Sequence, residues 1–135
     1  MVVTLMVLAT ISTVRSVVHI FLPDGGSSTI AGIVLPAATS GPIVFAFAWA
    51  GIYQLIWTGV EWVVLLRYRG LIPLLCLLML FEQVALFLLP YFKPALSGHL
   101  AHIPPEAVGN KILLPVMVLL LLSSLFQTAR KRGSP

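Results

Sequence analysis

Three of the long apolar stretches in this sequence contain charged or amide side chains, and these are the residue types that could support chemistry. Arg15, Gln54, Glu82 and Gln83 each lie among residues that are mostly apolar. Ionisable groups inside apolar helices are rare and usually face a bundle interior or a cavity. A glutamate there could bind a cation or a proton, and an arginine could neutralise that glutamate or hold an anion. We call these four residues the midplane cluster.

Depth along the predicted helices brings the midplane cluster to one level. At a rise of about 1.5 Å per residue, Arg15 lies about 20 Å from one end of the bundle, Gln54 about 18 Å and Glu82 about 16 Å. A single charge left alone in hydrocarbon costs roughly a few kcal/mol. We therefore predict that Arg15 pairs with Glu82, with Gln54 as a hydrogen-bonding neighbour. The sequence favours a structural ion pair that fixes helix register, and leaves open a site for a small ligand, ion or proton.

Two further groups are secondary candidates. Glu61 lies about 7 Å from the same end of its helix, close to Arg67 and Arg69. We expect an interfacial carboxylate that extends to pair with these arginines. His19 lies near the opposite interface, and we expect a hydrogen-bonded packing residue, because haem held between helices normally needs two axial ligands. A bis-histidine site would require a second copy of the chain.

His99, His102 and Glu106 are weak candidates for metal ligands. Pro104 and Pro105 lie between the second histidine and the glutamate, so helical spacing does not bring the three side chains together. We predict neither a metal nor a cofactor. The sequence has no P-loop, dinucleotide-binding, nucleophile-elbow or zinc-protease signature. An enzyme is therefore the less favoured interpretation.

The composition indicates a chain that lies in a membrane. Hydrophobic residues make up 59% of the 135 residues and charged residues 9%, which is far from a typical soluble domain. The net charge of +4 is concentrated at 67–69 and 130–132, as is typical of residues flanking membrane helices and not of a nucleic-acid interface. Cys76 is the single cysteine, so no disulfide can form within one chain.

Four stretches are long enough to cross a hydrocarbon core, which needs roughly 20 helical residues. They are residues 2–22, 43–66, 71–89 and 111–128. The sequence therefore predicts an all-α integral membrane protein, a four-transmembrane-helix bundle that forms a single membrane domain over residues 1–135. A basic cytoplasmic tail follows at 129–135.

The connections between these stretches differ in character. Residues 29–39 are apolar but would form only about 17 Å of helix, so we predict a re-entrant or interfacial segment between helices 1 and 2. A five-span alternative would make this segment a short crossing. Residues 90–110 contain Pro90, Pro94, Pro104 and Pro105 and are predicted to form a loop.

The positions of the basic residues predict the orientation. Four spans place 67–69 and 130–132 on one side of the membrane, whereas five would separate them. Because basic residues favour the cytoplasmic side, we predict a multi-pass protein of a bacterial-type inner membrane with both termini in the cytoplasm.

Three functions are compatible with this architecture. The first is an accessory or assembly subunit, or a homo-oligomer, whose partners are the lipid bilayer and other membrane helices; small residues in helix 2 would allow close approach, namely Ala46, Ala48, Ala50, Gly51 and Gly59. The second is a small oligomeric transporter or channel that uses the midplane cluster. The third is a lipid-, quinone- or haem-associated membrane protein.

Overall fold

Four helices account for most of the chain. The computed structural model describes residues 1–38, 40–93 and 105–132. The helices are α1 (Val2–Phe21), α2 (Ser40–Leu66), α3 (Ile72–Phe92) and α4 (Pro105–Arg132), and a single 3₁₀ turn, Arg69–Leu71, precedes α3. Within the described residues the chain is all-helical, and four helices are long and apolar enough to cross a membrane.

Three helices extend beyond their predicted ends, mainly at prolines. α2 begins at Ser40 and α4 at Pro105, earlier than the predicted 43 and 111. Pro42 and Pro105 lie in first turns, where a backbone N–H has no partner within the helix and its loss costs little. α3 continues past Pro90 to Phe92. The prediction of a loop over 90–110 was therefore wrong at both of its ends, and α4 also continues to residue 132 instead of ending at 128.

The segment between α1 and α2 is built from turns and extended backbone. The Asp24 carboxylate accepts hydrogen bonds from the backbone N–H groups of Gly26 at 2.9 Å, Ser28 at 3.1 Å and Thr29 at 2.8 Å. Slight burial raises the pKa of Asp24, but these hydrogen bonds outweigh it and hold the pKa below its ordinary value. The apolar stretch that follows, over residues 29–38, contains no helix. The described chain thus has no fifth helix that could form a short crossing.

The helices pack as two hairpins. Close backbone approach occurs mainly between α1 and α2 and between α3 and α4. At the α1–α2 interface, Ala9 and Ser16 are 0% exposed and Thr58 is 1% exposed. A Cβ at Gly51 would lie 2.7 Å from the His19 Cβ and 3.1 Å from the Ser16 carbonyl oxygen. Gly51 was predicted to allow the close approach of another helix, and in the structure that helix is α1 of the same chain.

A shared core joins the two hairpins at one end. It contains Leu5 from α1, Leu65 from α2, Cys76 from α3 and Met117 from α4. These residues belong to the start of α1, the end of α2, the start of α3 and the middle of α4. The core therefore lies toward the end of the bundle that carries the basic turn at 67–69 and the end of α4.

Candidate functional site

A small polar cavity lies among all four helices, next to the shared core. Its volume is about 110 Å³. Charged, amide and hydroxyl side chains from every helix line it: Ser12, Arg15, Gln54, Glu61, Glu82, Gln83 and Asn110. The structure thus brings the whole midplane cluster to one cavity. We call it the polar cavity.

Helical spacing explains how these groups reach the same place. Ser12 and Arg15 are three residues apart on α1, and Gln54 and Glu61 are seven apart on α2. Both separations put two side chains on one face of a helix. Because α1 and α2 pack closely along that part of their length, the two faces meet at the cavity wall. The pairing of Arg15 with Glu82 stays a prediction.

Glu61 occupies a different environment from the predicted one. Its side chain is 3% exposed and lines the polar cavity. Its Oε2 atom is buried without a hydrogen-bond partner among the described residues. Arg69 instead donates from Nε to the Leu65 carbonyl oxygen at 3.2 Å. The expected interfacial pair with Arg67 and Arg69 was therefore wrong, because packing turns the Glu61 face of α2 inward.

Trp57 and Gln83 also place buried polar atoms at the cavity. Nε1 of Trp57 and Oε1 of Gln83 have no hydrogen-bond partner among the described residues. Both residues line the polar cavity, as Glu61 does. Buried polar atoms are nearly always satisfied, so a group of such atoms at one cavity normally binds water, an ion or a ligand.

The charges at the polar cavity do not balance. Among the described residues that line it, Glu61 and Glu82 are acidic and Arg15 is basic. With all three ionised, the wall carries one net negative charge. An uncompensated charge is costly in an apolar bundle, so binding one proton or one monovalent cation would relieve that cost. The side-chain oxygens of Gln54 and Asn110 add neutral ligands of the kind that bind cations.

Two crevices adjoin the polar cavity. The α2–α3 crevice has a volume of about 770 Å³, and its lining includes the aromatic rings of Phe47, Tyr53, Trp57 and Phe81. Gln54, Trp57 and Glu82 line both this crevice and the polar cavity. The second crevice, of about 640 Å³, lies beside α1, the segment 26–33 and the start of α4, and its walls are mostly apolar. Arg15 lines the polar cavity and both crevices, so each crevice borders the polar cavity.

His19 lines both crevices and has a packing role, as predicted. Its Nδ1 lies 2.6 Å from the Gly25 carbonyl oxygen, and because a carbonyl can only accept, Nδ1 carries the proton. The imidazole ring also meets Phe47 edge to face, with centroids 5.4 Å apart. This contact ties the end of α1 to the turn that follows and to the start of α2.

The candidate metal ligands of the outer loop are not placed. His99 and His102 lie outside the described residues, as does the side chain of Glu106. Among the side chains that the structure describes, no group of three histidine, cysteine or acidic residues is arranged to hold a metal ion.

Asn110 is a cavity residue that the sequence interpretation missed. The prolines before it predict a loop ahead of helix 4, whereas α4 begins five residues earlier, at Pro105. The sequence did indicate a helix start at Pro105, because proline is favoured at the first position of a helix. Interpreting Pro105 as a helix start instead of a breaker would place Asn110 on α4.

No family model, curated protein or solved structure matches this chain. The chemistry of the polar cavity and its crevices is therefore the basis for assigning a function.

Proposed function

We propose that the protein is a four-span integral membrane protein that binds one cation, a proton included, in the polar cavity and moves it across the membrane. The observation that carries this proposal is the buried carboxylate of Glu61. Its Oε2, unpartnered among the described residues, lies at a cavity that Glu82 and Arg15 also line. Acidic residues at membrane depth are characteristic of ion and proton pathways.

The packing of the bundle supports a direction of access. We assign the end with the basic turn at 67–69 to the cytoplasm of a bacterial-type inner membrane, with both termini on that side. The shared core then lies between the polar cavity and the cytoplasm. The two crevices lie beyond that core, against residues 10–33 of α1 and its following segment, 46–57 of α2, 78–86 of α3 and Pro105. In this assignment the crevices give access from the outer half of the membrane, and the shared core closes the inner half.

A second copy of the chain is part of the proposal. Four helices enclose little volume, and the packed core blocks a path through the single chain. Alternating access in small transporters is achieved by rocking one helical unit against another. The two hairpins of this chain, paired with those of a second copy, provide such units.

The accessory role that the sequence favours has less support. It rests on small residues of α2 that could receive a foreign helix. Gly51 contacts α1 of its own chain, and Ala46 and Ala50 line the α2–α3 crevice. A helix-packing subunit also has no need of a buried carboxylate such as that of Glu61. The polar cavity is therefore the stronger basis for a function.

Charge displacement on a solid-supported membrane tests the proposal. Proteoliposomes containing the full chain are exposed to sudden steps in proton, Na⁺ or K⁺ concentration, and binding within the membrane appears as a transient current. We expect a current for at least one of these ions that Glu61→Gln and Glu82→Gln abolish. Asp24→Asn, which changes a carboxylate outside the cavity, should retain it. Absence of current for all three ions, or its persistence in both glutamine variants, would overturn the proposal.

A further inference from the structure

We infer that the α2–α3 crevice binds the apolar body of an organic cation whose charged group lies beside Glu82 at the polar cavity. This inference rests on the proposed function, because it assigns a substrate class to the same site. The occupant is an amphipathic monocation that enters from the membrane side.

Aromatic rings supply the first reason. Phe47, Tyr53 and Trp57 from α2 and Phe81 from α3 line the crevice. Tyr53 is 62% exposed and Phe81 72% exposed, so large parts of both rings are open to an occupant. Aromatic faces attract organic cations through the ring quadrupole, and they do so more strongly when the cation is desolvated.

Charge complementarity supplies the second reason. Glu82 lines both the crevice and the polar cavity, and Glu61 is buried at the cavity with an oxygen that has no partner among the described residues. Arg15 balances only one of these two carboxylates. A cation is therefore attracted to this site, and an amphipathic anion would meet an excess of negative charge.

The second crevice gives an internal comparison. It also has apolar walls, but among its described lining residues Arg15 and His19 are the ionisable groups, and no carboxylate lines it. An organic cation has no counter-charge there. The combination of aromatic walls with a carboxylate assigns the ligand to the α2–α3 crevice.

Size supplies the third reason. The crevice volume of about 770 Å³ is comparable with sites for drug-sized ligands, which span roughly 300–1,000 Å³. A proton or an alkali cation needs only the polar cavity and makes no use of the aromatic walls. A cation with a bulky apolar body occupies both spaces.

Binding of tetraphenylphosphonium to the detergent-solubilised full chain tests the inference. Equilibrium dialysis with the radiolabelled cation should give saturable binding that Glu82→Gln abolishes. Phe81→Leu should weaken binding by about 2- to 30-fold, the range for loss of one cation–π contact. Phe87→Leu is the matched control, because Phe87 is on the same helix, is 44% exposed and does not line the crevice. Choline, a cation without an apolar body, should compete poorly.

Three results would overturn the inference. Uptake that never saturates would indicate partition into the detergent micelle only. If Phe81→Leu and Phe87→Leu weaken binding of tetraphenylphosphonium equally, or if neither variant weakens it, the crevice is not part of the binding site. Choline binding as tightly as tetraphenylphosphonium would show that the apolar walls are not used.

The two proposals fail in different ways. If ion steps produce a current that depends on Glu61 and Glu82 but tetraphenylphosphonium does not bind, the organic-cation inference is wrong and the ion-binding function stands. If tetraphenylphosphonium binds with the expected variant pattern but no ion step produces a current, coupled ion movement is wrong and the crevice is a binding site.

Discussion

Replacing Gly51 by alanine tests the packing that turns the polar face of α2 inward. A Cβ at this position would lie 2.7 Å from the His19 Cβ, 3.1 Å from the Ile20 Cγ1 and 3.1 Å from the Ser16 carbonyl oxygen. Two of these three neighbours are a Cβ and a backbone atom, which cannot rotate away. The alanine methyl group therefore fits only if α1 moves away from α2.

The size of that movement follows from the distances. Ordinary contact begins at 3.4 Å, so the 2.7 Å approach requires a retreat of about 0.7 Å, and a gap of 0.5–1 Å costs roughly a quarter to a half of each dispersion contact along the interface. Overpacking of this kind costs about 1–3 kcal/mol. Alanine also favours the helical backbone over glycine by about 1 kcal/mol, which partly hides the loss.

Gly59→Ala provides the matched control. Gly59 lies on the same helix, and a Cβ there would meet nothing within 4 Å. The backbone benefit of alanine is common to both variants and cancels when they are compared. We therefore expect Gly51→Ala to be about 1–3 kcal/mol less stable than Gly59→Ala.

Reversible unfolding in mixed micelles, followed by circular dichroism, measures this difference. Detergent denaturation midpoints should fall for Gly51→Ala and stay level or rise for Gly59→Ala. Equal midpoints for the two variants would refute the close α1–α2 contact. The close α1–α2 contact could then no longer explain why Glu61 faces the inside of the bundle.

Three further predictions concern other parts of the fold. Thr13→Val removes the acceptor for the Trp62 indole N–H, which donates to Thr13 Oγ1 at 3.2 Å, and should destabilise the chain by about 0.5–1.5 kcal/mol. The control Thr10→Val should cost less, because the Thr10 hydroxyl donates within its own helix. Equal losses of stability in the two variants would contradict the interhelical hydrogen bond. The Asp24 carboxylate has a lowered pKa, so its stabilisation of the turn is complete above its unfolded-state pKa of about 3.9 and is lost as the pH falls through the lower folded-state pKa. The NMR shifts of the amides that donate to this carboxylate should therefore titrate below the unfolded-state pKa. Titration at the unfolded-state pKa would be the contrary result. Cys76 is 0% exposed and should react with a maleimide only after unfolding, whereas rapid labelling of the folded chain would show that the shared core is misplaced.

Helix number and the level of the midplane cluster could be predicted from the sequence. Long apolar runs indicate helices because each must satisfy its backbone hydrogen bonds internally. The rise per residue is constant, so counting along each run predicts which residues share a level. Arg15, Gln54 and Glu82 accordingly line one cavity, with no need to know which helices are neighbours.

The helix ends were less predictable, because the effect of a proline depends on its position in a helix. Pro105 starts α4 and Pro90 lies within α3, although the spacing of prolines predicts a loop at both positions. A proline breaks a helix when it removes an interior hydrogen bond, but it costs little in a first turn. The neighbouring sequence alone did not distinguish these cases, and Asn110 was missed as a result.

The sequence by itself determined the number of helices and the level of the polar groups along them, since both depend on the length of the apolar runs and on the constant rise per residue of a helix. Only the tertiary structure decided which way each helix is rotated and which helices are neighbours. Gly51 packs closely against α1, and Glu61 on the same helix lines the polar cavity instead of pairing with Arg67 and Arg69. The pairing of helices into two hairpins leaves the α2–α3 crevice between them. Rotation and pairing depend on contacts between side chains far apart in the sequence, which no local pattern specifies.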